Sequence, residues 1–324
     1  MIGLSSITDA AQTVYAAMLP TAQISWPVLS KQIGAEVWVK HENHTPIGAF
    51  KIRGGLNYMF NLRAGSPEAI GVIAATRGNH GQSIALSAKK YGLKCSIVVP
   101  HENSQEKNEA MRALGADLIE HGRDFQEALE HARVLSHEHK FHFVESFHDW
   151  LVEGVATYAL ELFQNVSDID VLYVPIGLGS GICGAIATRN ALGLKTEIVG
   201  VTAAEAPAYA LSFDKKYPIR TESANTMADG LACRAPNEKA LDMIVEGASR
   251  VITVSEDEIC QAIRLMYTAT HNLAEGAGAA ALAGLWKERG RLRGKKVAVV
   301  LSGSNIDKET FFNALISQGK SAQK

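Results

Sequence analysis

The sequence has little of what would tie it to a membrane, to nucleic acid or to an oxidising compartment. Its 324 residues hold only four cysteines (Cys95, Cys183, Cys233 and Cys260), widely spaced and with no CxxC pair. That spacing excludes a disulfide scaffold and a thiolate metal knot, and reads as reduced, mostly buried thiols of a cytoplasmic protein. No apolar run reaches the length of a membrane span, and the N-terminus carries Asp9 where a leader would be basic. Lysine and arginine number 32 against 34 acidic residues, a formal net charge of -2. Neither nucleic acid nor a membrane surface is therefore expected as a partner. Internal repeats, low-complexity tracts and long linkers are also missing.

What is present is enough apolar material, 47% of the chain, for one large or two ordinary domains. Residues 6–18 read as a helix with Ser6 or Thr8 as its cap, and residues 37–40 as a half-apolar strand. After a polar link at 63–67, short β-rich runs alternate with helices: strands at 70–75, 95–99, 117–120 and 141–144, helices at 82–91, 104–114 and 125–139. Asp124 and Glu127 stand in capping-box positions for the last of these helices. The second half repeats the alternation, with helices at 150–164, 182–192 and about 275–288, and strands at 171–176, 197–202, 251–254 and 296–301. A further helix is capped by Ser255 with Glu258, a final one begins near Asp307, and residues 203–235 are less regular. Such alternation predicts an α/β fold with two largely parallel sheets, and hence two lobes.

Four stretches carry chemistry. In His41 to Gly55, the strand meets a turn marked by Pro46 and Gly48, and Lys51 follows Phe50 where a helix can begin. A lysine amine presented there forms a Schiff base if its surroundings lower its pKa; otherwise it is a snorkelling surface residue. Thr76-Arg77-Gly78-Asn79-His80 lies between a strand and a helix, whose N-terminus offers amides to a carboxylate or phosphate. Gly177-Leu178-Gly179-Ser180-Gly181 follows a buried strand and lets the backbone approach an anion from several sides. A dinucleotide fingerprint fails there, because its third glycine falls at Ile182 and no acidic residue ends the next strand; a Walker loop lacks its lysine. A small phosphate ester remains. Ser302-Gly303-Ser304-Asn305 closes the last strand, where Ser302 either meets a ring nitrogen or caps the following helix.

Together these stretches, in their order and spacing from Trp26 to Asp307, resemble the fold-type II pyridoxal-phosphate enzymes, within them the serine/threonine dehydratase branch that includes serine racemase. The resemblance implies a fold similar to the tryptophan synthase β chain, two lobes each with a mainly parallel sheet, and a homodimer. It implies pyridoxal 5'-phosphate carried by Lys51 beside Phe50, with Asn79 at the phenolic oxygen and the amides of Thr76, Arg77, Gly78, Asn79 and His80 at the substrate carboxylate. It further implies phosphate binding by Gly177, Leu178, Gly179, Ser180 and Gly181, Ser302 at the pyridine nitrogen, and Gly230 and Glu275 near the cofactor. Residues 1–70 and 149–324 are expected to form the large cofactor-binding domain and 71–148 the small one.

The departures from the family are informative. The usual run of four glycines is Gly-Leu-Gly-Ser here. Arg77 stands where dehydratases carry alanine and the racemase its second acid/base serine, which argues against racemisation. Arg77 could hold a second acidic group on the substrate or pair with an acid of the protein. Thr202-Ala203-Ala204, with Ala206 and Ala208, replaces the family's divalent-cation ligands, so no metal is expected. The histidines at 41, 44, 137, 139 and 142 lack a spacing that aims them at one ion. No C-terminal regulatory domain is expected, and the Arg77 and Gly-Leu-Gly-Ser variants are similar to those of phenylserine dehydratase and of the dehydratase-like proteins of hydroxyectoine breakdown. The implied reaction is loss of water from a 3-hydroxy-L-amino acid to give a 2-oxo acid and ammonia; a racemase and a non-catalytic binding protein are the alternatives.

Overall fold

The computed structural model describes residues 2–317. The elements in chain order are α1 (Leu4–Tyr15), β1 (Gln23–Ser25), α2 (Pro27–Ile33), β2 (Glu36–His41), α3 (Lys51–Gly65), β3 (Gly71–Ala75), α4 (Asn79–Lys90) and β4 (Lys94–Val99). Next come α5 (Gln105–Ala113), β5 (Asp117–Glu120), α6 (Phe125–His139), β6 (His142–Phe143), α7 (Asp149–Asn165), β7 (Val171–Pro175), α8 (Ser180–Ala191) and β8 (Glu197–Ala203). The rest are α9 (Ala208–Lys215), α10 (Glu238–Gly247), β9 (Arg250–Val254), α11 (Glu256–Thr270), α12 (Gly276–Lys287), β10 (Lys296–Leu301) and α13 (Lys308–Ile316).

The chain divides into two compact units, Met1–Leu19 with Thr45–Thr157 and Pro20–His44 with Tyr158–Lys324. In the first, four strands run parallel in the order β5-β4-β3-β6. β3 is buried along its whole length, so it reads as a continuous apolar run rather than an alternating one. The second unit holds six strands in the order β1-β2-β10-β7-β8-β9, parallel except for the β1–β2 pair. Helix α12 packs on four of these strands and on α11. Every residue from Gly276 to Leu285 is buried, which explains the Ala/Gly composition: a helix covered on all sides must be apolar all round, and small residues let it lie close.

Residues 1–19 and 45–70, expected with the larger sheet, cluster instead with the first unit. Val14 of α1 and Met18 just after it form one apolar cluster with Ile47, Ala49, Ile52 and Leu56, against which Leu86 of α4 packs. Leu151 joins the core beneath β3 and β4, which draws the start of α7 to the same unit. The expected caps of α1 also differ. Gly3 is the N-cap, and Ser6 and Thr8 donate back to the carbonyls of Gly3 (3.1 Å) and Leu4 (2.8 Å) from inside the helix. At α6, Asp124 accepts from the Glu127 amide (3.0 Å), but the Glu127 carboxylate takes the Arg123 amide (2.8 Å), so only half the box forms. The full capping box is at Ser255 and Glu258. Helices α2, α9 and α10 complete the second unit without having been anticipated.

A buried ion pair anchors the second unit. Lys40 Nζ, with a side chain 0% exposed, meets Glu161 Oε2 at 2.5 Å and donates to the Thr21 carbonyl at 2.7 Å. The Thr21 amide donates to the same carboxylate oxygen at 3.1 Å. Replacing Glu161 with alanine strands the ammonium, and the expected loss is roughly 3–5 kcal/mol in urea unfolding. The double change Lys40→Met with Glu161→Leu should recover most of it, and a single-variant loss below about 1 kcal/mol would show that the pair is not a buried anchor.

Candidate active site

The first unit contributes two helix starts. Thr45 clamps the turn before α3, its hydroxyl donating to the Ala49 carbonyl (2.8 Å) and accepting the Ala49 amide (2.9 Å). The turn sets Phe50 at the N-cap and Lys51 as the first helical residue, as the sequence predicts, with Lys51 Nζ 5.0 Å from the centre of the Phe50 ring. Ser83 of α4 donates to the Lys51 carbonyl at 2.6 Å and ties the two helices together. Burial pushes the Lys51 amine down to about 8, since a charged ammonium is disfavoured away from water.

Thr76 to Gly78 form the turn between β3 and α4, and Asn79 and His80 open the helix, three residues ahead of the predicted start. Among the amides expected to meet a carboxylate, that of Thr76 donates to the Val98 carbonyl (3.1 Å) and that of Gly78 to Thr76 Oγ1 (3.0 Å). The Lys107 stem lies across Gly78, where a Cβ would come within 2.7 Å of its Cδ; Lys107 lies on another helix, α5, and carries no local signal of this contact. Arg77 is exposed, and among the described residues it forms no ion pair. His80 Nε2 is buried with no hydrogen-bond partner among the described residues. Burial, with the neighbouring Lys51 charge, lowers the imidazole to about 3.

In the second unit, the glycine loop, Gly230, Glu275 and Ser302 converge at the carboxyl end of the six-stranded sheet. A side chain at Gly177 would collide with the Gly230 carbonyl, and one at Gly278 with the Gly303 carbonyl. The Glu275 amide donates to that same Gly303 carbonyl at 3.1 Å, and a Cβ on Gly230 would approach Ala277 Cβ to 2.8 Å. Gly179 adopts φ 97 as the N-cap of α8, a left-handed conformation natural to glycine. Ser180, the first helical residue, is 2% exposed and Ser302 is 4% exposed. Two tyrosines that sequence reading missed brace this loop. Tyr158 donates to the Gly181 carbonyl at 2.7 Å; Tyr209 donates to the Leu178 carbonyl at 3.0 Å and accepts the Asn237 amide at 3.1 Å. Carbonyls held outward in this way leave the loop shaped to turn amides toward an anion.

The histidines examined as ligands have other contacts. His41 accepts from the Trp26 indole at 3.0 Å and stacks on His44, and His142 pairs with the Tyr58 hydroxyl at 2.7 Å. Among the described residues no three His, Cys, Asp or Glu side chains converge as cation ligands, and no helix is long and apolar enough to cross a membrane.

A family profile described as pyridoxal-phosphate dependent enzyme matches residues 14–303. The chain belongs to that family. It is 33% identical to the L-threonine ammonia-lyase of Thermotoga maritima over 100% of its own length and 81% of that protein. It spans a smaller share, 60%, of the Haemophilus influenzae biosynthetic L-threonine dehydratase, at 32% identity over 95% of this chain. Among solved structures it resembles the processed form of threonine deaminase isoform 2 from Solanum lycopersicum, with TM-score 0.90, 28% identity, and coverage of 96% of this chain and 91% of that one. Maize serine racemase gives TM-score 0.90 at 25% identity, covering 97% and 96% of the two chains. The protein is thus a pyridoxal-phosphate dependent enzyme whose curated relatives are lyases.

The residues present fit such a cofactor. A buried amine of lowered pKa suits carbonyl condensation, and an anion loop capped by a left-handed glycine suits a phosphate. The amine's reactivity has a pH signature. Because only the neutral form is nucleophilic, cofactor-stripped protein should react with pyridoxal phosphate at a rate that rises through about pH 8, the folded pKa of Lys51. A rate still climbing steeply above about pH 10, the ordinary lysine range, would mean that the amine is not desolvated.

Proposed function

We propose that the protein removes water from a 3-hydroxy-L-amino acid and releases a 2-oxo acid and ammonia. The observation that carries this reading is the desolvated Lys51 amine at the start of α3, in a chain whose curated relatives are threonine ammonia-lyases and dehydratases. The first unit supplies Phe50, Lys51 and Asn79, with Arg77, Asn79 and His80 as the amide donors for the substrate carboxylate. Thr76 and Gly78 shape that turn. The second unit supplies Gly177, Leu178, Gly179, Ser180 and Gly181 for the phosphate, Ser302 for the ring nitrogen, and Gly230 and Glu275 beside them.

Pyridoxal phosphate supplies the electron sink that acidifies the substrate Cα. Lys51 would hold the cofactor through its aldehyde carbon, and its neutral Nζ would serve as the general base for the substrate Cα proton. Ser302 would meet the ring nitrogen as a neutral hydroxyl, a weaker partner for a ring proton than a carboxylate. The enamine that leaves the protein adds water and loses ammonia.

Arg77 bears on both substrate and reaction type. The likeness to maize serine racemase favours racemisation as the second reading. A guanidinium stays protonated at working pH and cannot alternate as acid and base. Its exposed position without a protein acid suits an acidic substrate side chain instead. The test is a panel of L-threonine, L-serine, both phenylserine diastereomers and 3-hydroxyaspartate, followed for ammonia and 2-oxo acid together. Stoichiometric release is expected from at least one, and Lys51→Ala should abolish both the visible absorbance and turnover. Racemised substrate without ammonia would overturn the lyase reading. Arg77→Ala should lower the preference for 3-hydroxyaspartate about tenfold; a change under about threefold would end its specificity role, since a charged contact contributes more. The reading extends to a cytoplasmic homodimer, and sedimentation at the mass of a single chain would remove the dimer from it.

A further inference from the structure

His80 holds a buried polar atom, Nε2, that no group among the described residues satisfies. An unpaired buried nitrogen costs about 1–3 kcal/mol, and native structures leave few of them without a reason. Its place on α4 points to one. Ser83, three residues further along, faces α3 and donates to the Lys51 carbonyl at 2.6 Å. Residues three apart share a helix face, so the His80 ring stands one turn nearer the α4 N-terminus, on the side of the helix that meets Lys51. The electrostatic influence of Lys51 on His80 agrees with that proximity.

We propose that His80 is a cofactor-contacting residue whose Nε2–H donates a hydrogen bond to an oxygen of pyridoxal phosphate held at Lys51. This goes beyond the main-chain role given to the Thr76–His80 turn, and it rests on the reading that Lys51 carries the cofactor. The imidazole is then a fixed dipole and not a proton shuttle, because its lowered basicity keeps it neutral across the working range.

The experiment compares wild type, His80→Leu and His80→Asn. Each protein is stripped, titrated with pyridoxal phosphate to obtain the dissociation constant, and scanned for its visible absorption maximum at several pH values. Leucine removes the donor and should weaken cofactor binding roughly three- to tenfold, the worth of one hydrogen bond, and displace the absorption band. Asparagine keeps an N–H donor and should recover part of both. Wild-type affinity and spectrum in both variants would overturn the proposal. So would an unchanged dissociation constant with a raised KM, which would give the contact to the substrate. The underlying reading fails separately: it falls if wild type shows no visible band with the cofactor, or if Lys51→Ala keeps it. If His80→Leu does not fold, the comparison of His80→Asn with His80→Gln on the same two readouts decides the matter, with loss of the donor's reach expected to separate them.

Discussion

The close approach of backbone to backbone at the carboxyl end of the six-stranded sheet is the constraint on which the glycine loop and its neighbours in the second unit depend. Where Gly177 meets the Gly230 carbonyl and Gly278 meets that of Gly303, no Cβ has room. Four segments far apart in sequence therefore share one small volume. The glycine loop, the turn at Gly230, the start of α12 and the turn after β10 interlock through main-chain atoms. Their positions are then insensitive to side-chain rotamers, which suits a surface meant to grip a phosphate and a ring with little reorganisation. Tyr158 and Tyr209 complete the arrangement by fixing loop carbonyls.

The first unit solves a different problem, that of burying a lysine amine. Desolvation alone is the cause of the lowered pKa at Lys51, and the cost is carried by the packing of α3 against α4. Small residues let the helices approach closely, with the Ser83 hydroxyl seated where any side chain on Gly55 would fall. The same burial that lowers the Lys51 amine also strips His80 of solvent, so one packing arrangement shifts two titratable groups. Stability and reactivity meet here: the elements hold a group in a state that water would not favour.

Much of the site was legible before the fold was known, because its signals are local. Lys51 after a Pro/Gly-marked turn, the turn at Thr76 to His80, the glycine loop and the turn at Ser302 each lie where a strand or turn hands over to a helix. The composition of each stretch is dictated by that junction. The α/β alternation was equally plain, since a parallel strand buried on both faces must be apolar throughout. Tyr158, Tyr209 and Lys107 gave no such signal. They sit within helices otherwise unremarkable in pattern, and only the folding of distant segments brings them to the loops they support.

By itself the sequence determined the alternation of most strands and helices, the loops at several of their junctions and the family to which the chain belongs, because periodicity, glycine placement and helix starts act over a few residues. Tertiary structure decided what depends on neighbours from elsewhere in the chain. It moved Ser6 and Thr8 from cap to helix interior, and it drew residues 45–70 to the smaller sheet through the apolar cluster of α1 and α3. Among the described residues it also left Arg77 without an ion pair and His80 with an unsatisfied nitrogen. Solvation and pairing are properties of the space around an atom, and no stretch of sequence contains that space.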